Sequence, residues 1–206
     1  MNKLLFSRPQ KNRALPVICV CVGQVIWGFS YLFTRIAQNS ASPTVVLSMR
    51  FLASWVIMTA LIWSGKKSFS LKGKNFRPLL ALALLEPPYY FFESYGVYYS
   101  NATFAGTVMA FAPVVGILAA MLFLGEKPTR RQKIFSLLPT AGVIIITSVG
   151  SSMGIVKPLG AIFLFASQIV AAGMKLYNKK SSEEFSSFER TYAIVVANAI
   201  IFTIKS

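Results

Sequence analysis

LALALLEPPYYFFESYGVYYSNATFAGTVMAFAPVVGILAAMLFLGE, residues 80–126, decides the fold. It is two long apolar segments joined by a polar turn at Ser100 and Asn101. The first holds two carboxylates, Glu86 and Glu93, deep inside an otherwise apolar run. The second is lined with small residues and interrupted by Pro113. A soluble core is not built this way. Unbroken apolar runs of this length belong to a bilayer, and acids inside one belong to a protein with a polar interior to line.

Working outward, such runs recur along most of the 206 residues, of which 55% are hydrophobic and 13% charged. About 20 residues at a rise of about 1.5 Å span the hydrocarbon core, so each run is a spanning candidate. The fold class is all-α, a polytopic helical membrane protein. Helices are expected over residues 15–36, 44–63, 78–99, 102–124, 134–149 and 158–177, with a seventh starting near Thr191. The basic lead, residues 1–14, is read as an uncleaved N-terminal segment, because the run behind it is too long for a signal peptide. From Thr191 only about 21 Å of helix precedes Lys205, short of the roughly 30 Å core, so a longer parent protein is expected.

The net charge of +15 invites a nucleic-acid reading, but its placement argues against one. The N-terminal segment and the second, fourth and sixth connectors together hold 17 of the 21 basic residues, counting Lys175 with the sixth. Basic residues stay cytoplasmic, so the N-terminus and the even-numbered connectors are assigned to the inside of the cytoplasmic membrane.

The chain contains no His and no Asp, which removes His-based metal sites, Ser-His-Asp hydrolysis and Asp-held magnesium. No phosphate-cradling GxxxxGK[ST] loop is present. The expectation is a non-enzyme with no cofactor and no metal. Cys19 and Cys21, two apart on one helix, face different sides and are read as small core residues.

Several stretches resemble one family. Trp27-Gly28-Phe29-Ser30 is followed by Arg35, and Arg50-Phe51 stands in the second helix. The fourth carries Ala110-Phe111-Ala112-Pro113-Val114-Val115 and closes on Leu122-Phe123-Leu124-Gly125-Glu126-Lys127-Pro128. Pro139-Thr140-Ala141-Gly142-Val143 follows. The chain is similar to the EamA-domain family of the drug/metabolite transporter superfamily. The resemblance implies ten helices in two inverted five-helix repeats, both termini cytoplasmic, and export or import of small metabolites. Carried over, residues 15–149 are a first five-helix repeat, and 158–206 the first two helices of a second.

Glu86 and Glu93 are the leading site candidates. A charged carboxylate at mid-membrane costs at least about 2.5–3.5 kcal/mol, so each faces a cavity, a partner, or carries a proton. Seven apart, they share a helix face with Tyr89 and Tyr90 near it. Two readings stand: a proton or cation site, or a static pair with Arg50. Arg50 is correspondingly an anchor for an anionic solute or a counter-charge. Pro87 and Pro88 remove two backbone donors, so the third helix is expected to kink or unwind there. Ala102, Gly106 and Ala110, then Ala112, Gly116 and Ala120, place small residues at intervals of four, for close helix packing or for sliding about a hinge at Pro113. Trp27, Tyr89, Tyr90 and Tyr95 either line a solute cavity or pack. Gln168 is a polar group facing the bundle, and Glu126 a boundary salt bridge with Lys127 or Arg130.

The functional expectation is a secondary transporter of small amino-acid-like or drug-like solutes, with protons as a coupling ion. It works by alternating access around a cavity lined by helices one, three, four and six. The alternative is a membrane subunit that moves no solute and associates through the small face of helix four, a homo-oligomer included.

Overall fold

The computed structural model describes residues 14–125, 127–132, 134–138, 141 and 157–205. Regular structure among them is entirely helical. The elements are α1 (Ala14–Ala37), α2 (Pro43–Trp63), α3 (Arg77–Tyr99), α4 (Ala102–Met109), α5 (Ala112–Leu124), α6 (Pro158–Ser181) and α7 (Ser187–Lys205). Residues 130–132 and 134–138 are also helical. The rest of the expected fifth helix lies outside the described residues, as do Glu126 and its expected salt bridge.

Local chemistry sets the starts. Ser42 caps α2 by accepting from the Val45 amide, and Pro43 takes the first helical position, where no amide partner is missed. Asn101 caps α4 through its side-chain oxygen, 2.8 Å from the Phe104 amide. Ser186 and Glu189 form a reciprocal capping box at α7, with Ser186 N donating to Glu189 Oε2 at 2.8 Å and Glu189 N to Ser186 Oγ at 3.3 Å.

The expected fourth helix is two helices. Pro113 has no amide for the Met109 carbonyl and crowds it, so α4 ends at Met109 and α5 restarts at Ala112. The turn between them tightens, with the Phe111 amide bonding back to Val108 O at 3.1 Å. Pro87 and Pro88 behave differently, since α3 stays helical straight through them and does not unwind. Two positions are read too short in the sequence. α6 continues past the expected end at Tyr177 to Ser181, so Lys175, counted with the connector's charge, lies well within the helix. α7 starts at Ser187 and has 19 residues, about 28 Å, not the 21 Å counted from Thr191.

α3 is the centre of the bundle. It packs most extensively on α6, then on α7, and touches α1, α2 and α4. Two glycines permit the α3–α6 approach. A Cβ on Gly96 would lie 2.6 Å from Leu164 Cγ, and one on Gly160 would lie 2.9 Å from the Tyr99 carbonyl carbon. One apolar cluster (Tyr31, Val97, Ala105, Val108, Met109, Leu164) joins α1, α3, α4 and α6. A second (Leu47, Phe51, Val195, Ala199, Phe202) joins α2 to α7.

Among the described residues, four helices are long and apolar enough to cross a membrane: α1 from Val17, α2, α6 and α7. α3 has the length, 23 residues, but carries the acids and tyrosines, and it is the helix the others surround. α1 is the opposite case, since only 6% of its apolar window is buried. Cys19 and Cys21 lie exposed there rather than in a core. The second and sixth connectors meet at one end, where Lys74 Nζ is 2.6 Å from Glu189 Oε1 and the Asn75 amide donates to Glu184 Oε2.

Candidate functional site

α1 is held to α3 by a polar stripe. Tyr31, Arg35 and Gln38 recur at helical spacing, so they share a face. Tyr31 Oη donates to Glu93 Oε1 at 2.8 Å. Arg35 donates to the Tyr98 carbonyl at 2.9 Å. Gln38 Nε2 donates to the Ser94 carbonyl and hydroxyl at 3.0 and 2.9 Å. These contacts dock the first helix on α3, beside the apolar cluster that Tyr31 shares with α3, α4 and α6.

Glu93, 6% exposed, is doubly bound. Tyr89 Oη, one turn back on α3, donates to the same Oε1 at 2.7 Å. A buried carboxylate with two phenol donors is a satisfied structural group.

Glu86 is different. It is 7% exposed, yet forms no hydrogen bond or ion pair among the described residues. It lines a cavity of about 390 Å³ together with Trp27, Tyr89, Tyr90, Lys175 and Arg190. Asn178 and Ser187, at the α6–α7 turn, complete its polar wall. The helices contributing are α1, α3, α6 and α7. The expected contribution of the fourth helix is absent, because that helix turns away to line a second cavity of about 420 Å³ against α1. Trp27 lines both.

The cavity's cations are held by neutral groups. Lys175 Nζ donates to the Ala112 carbonyl at 2.8 Å, in the first turn of α5. Arg190 donates to the Asn178 carbonyl at 3.1 Å, to the Asn178 side chain and to Ser187 Oγ at 3.3 Å. Its Nε is buried without a partner. Neither cation is ion-paired with Glu86, so one cavity carries both signs of charge unneutralised by each other.

The remaining candidates divide. Trp27, Tyr89 and Tyr90 line the Glu86 cavity. Tyr95 does not, and stacks instead among Phe91, Tyr99 and Phe163. Arg50 pairs with neither glutamate. Its guanidinium lies 5.6 Å from the Tyr90 ring centroid and 5.9 Å from that of Phe51, beside an apolar crevice between α1 and α2. The static Glu–Arg pair is therefore not formed. Gln168 is buried, with Nε2 on Met109 Sδ and Oε1 unpartnered. Gly106 faces open space and Gly116 faces Lys175, so close helix approach runs instead through Gly96 and Gly160. The sequence signals for those two glycines, and for Lys175 and Tyr31, were present but carried no tertiary address.

The chain is 31% identical over 195 residues to an uncharacterized transporter, YcxC, of Bacillus subtilis (strain 168), which covers 93% of this chain and 62% of the relative. An uncharacterized transporter of Archaeoglobus fulgidus is 21% identical over 184 residues, covering 89% of this chain and 64% of the relative. The uncharacterized inner membrane transporter YedA of Escherichia coli (strain K12) is 27% identical over 157 residues, covering 76% and 50%. The chain thus spans under two thirds of the length of these relatives. No solved structure matches it. The model of the EamA-like transporter family matches residues 14–148, the stretch that carries the α1–α3 polar stripe and both membrane glutamates. With its spanning helices and that match, this multi-pass membrane protein belongs to the EamA-like transporter family.

Proposed function

We propose that this chain carries the solute-binding part of a secondary transporter. It moves small amino-acid-like solutes across the cytoplasmic membrane by alternating access. One observation carries the reading: Glu86, buried and without a partner among the described residues, lines the same cavity as Lys175 and Arg190. A buried carboxylate without a partner is costly, and a ligand's ammonium relieves it, while the exposed Lys175 ammonium and the half-buried Arg190 guanidinium, held only by neutral groups, are open to the ligand's carboxylate. An ammonium group meets Glu86, a carboxylate meets Lys175 or Arg190, and Trp27, Tyr89 and Tyr90 supply apolar wall.

Glu86 is the group assigned to cation or proton exchange, since it alone of the two glutamates lacks fixed donors. Glu93 holds α1 in place. The even connectors lie inside by their basic content, which puts the α6–α7 end of the cavity toward the cytoplasm. Reconstitution into proteoliposomes tests this, with amino-acid flux driven by a pH gradient. Glu86→Gln is expected to abolish the driven component. Undiminished driven flux in Glu86→Gln would remove the carboxylate from the mechanism.

A second reading is a subunit that associates through α4 and moves nothing, favoured by the open space at Gly106. It calls for a stable oligomer and no flux in the same vesicles.

A further inference from the structure

Lys175 has two surroundings at once. It lines the Glu86 cavity, and its ammonium sits 2.8 Å from the Ala112 carbonyl, just past the break that separates α4 from α5. Room for it there is specific. A Cβ on Gly116 would lie 2.7 Å from Nζ, so a side chain there would push the ammonium from its present place. The contact ties α6 to the first turn of α5 on one side of Pro113. Its partner is a neutral carbonyl, which offsets an ammonium charge less than a carboxylate does.

We propose that Lys175 is an exchangeable latch: an anionic group entering the cavity takes the ammonium from Ala112 and frees α5 to swing about the Phe111–Pro113 break. This rests on the solute reading above and adds the link from occupancy to movement. A conformational change needs a ligand with differential affinity for the two states. Here the difference is one charge-assisted bond, made to the solute in one state and to Ala112 in the other. The amine end of the solute, at Glu86, supplies affinity but does not open the latch.

The test measures the distance between spin labels at Trp63→Cys on α2 and Leu122→Cys on α5, both exposed positions, in the full chain with Cys19→Ser and Cys21→Ser. The probes are L-phenylalanine, its anion-only analogue 3-phenylpropionate and its cation-only analogue phenethylamine, with binding followed by calorimetry. L-phenylalanine and 3-phenylpropionate are expected to shift the distance distribution, and phenethylamine to bind without shifting it. Gly116→Ala displaces the ammonium without altering any charge, and is expected to show the shifted distribution with no solute present. Lys175→Met is expected to do the same and to lose its response to 3-phenylpropionate. An unshifted distribution in both variants overturns the latch whatever the probes do. Binding with no dependence on the carboxylate overturns the exchange alone. No binding by any probe overturns the solute reading and the exchange together.

Discussion

Tyr31 on α1 and Glu93 on α3, 62 residues apart in sequence, share a buried hydrogen bond of 2.8 Å. It is one of the three polar contacts that dock α1 on α3. Tyr31→Phe removes one of two donors to the Glu93 carboxylate. Loss of a buried partner costs about 1–3 kcal/mol, more when the group is charged. Thermal unfolding in detergent is expected to fall accordingly for Tyr31→Phe and for Tyr89→Phe. The double variant is expected to depart from additivity, because both hydroxyls serve one oxygen.

The two glutamates separate by their partners. Glu86→Gln is expected to leave stability unchanged or raised while weakening calorimetric binding of amine-bearing solutes, since no protein contact is lost and a costly buried charge is removed. Glu93→Gln disturbs two phenol contacts and is expected to cost about 1–3 kcal/mol. Equal stability losses in both would contradict the division.

The glycines form a graded series. Gly160→Ala drives a methyl into main-chain atoms of Tyr99 and Ser100, and overpacking of this kind costs about 1–3 kcal/mol. Gly96→Ala meets the movable Leu164 side chain and is expected to cost less. Gly106→Ala meets nothing, and with a helical glycine removed is expected to stabilise by about 0.5–1 kcal/mol. Chemical denaturation of the three variants orders them.

At the connector end, Lys74→Ala is expected to cost about 0.2–1 kcal/mol, the usual worth of a partly exposed ion pair. Glu189→Ala is expected to cost more, about 1–3 kcal/mol. It also loses the Ser186 capping box and the Ser70 amide contact. Raising the salt concentration should narrow the first loss more than the second.

Helix positions were largely legible in the sequence, because apolar run length and cap residues such as Ser42, Pro43 and Asn101 act locally. The break in the fourth segment was legible as Pro113 but was placed as a hinge within one helix. Its displacement to Ala110 and Phe111 follows from the lost bond at Met109. Glu86, Tyr89, Tyr90 and Trp27 were found as candidates because buried charge and aromatic content are visible in one dimension. Lys175 falls inside the expected sixth helix but counts with the connector charge, and nothing in one dimension points its ammonium at the Ala112 carbonyl. Arg50 misled for the complementary reason. A cation within a helix suggests an ionic partner, and here the partners are the rings of Tyr90 and Phe51. Which small residues allow close contact depends on helix rotation, so Gly106 was favoured and Gly160 passed over.

The position of Trp27 on both cavities has a further bearing. Its indole is a partition between two compartments, the charged one at Glu86 and the one facing α4. A substitution at residue 27 therefore reshapes the walls of both compartments at once.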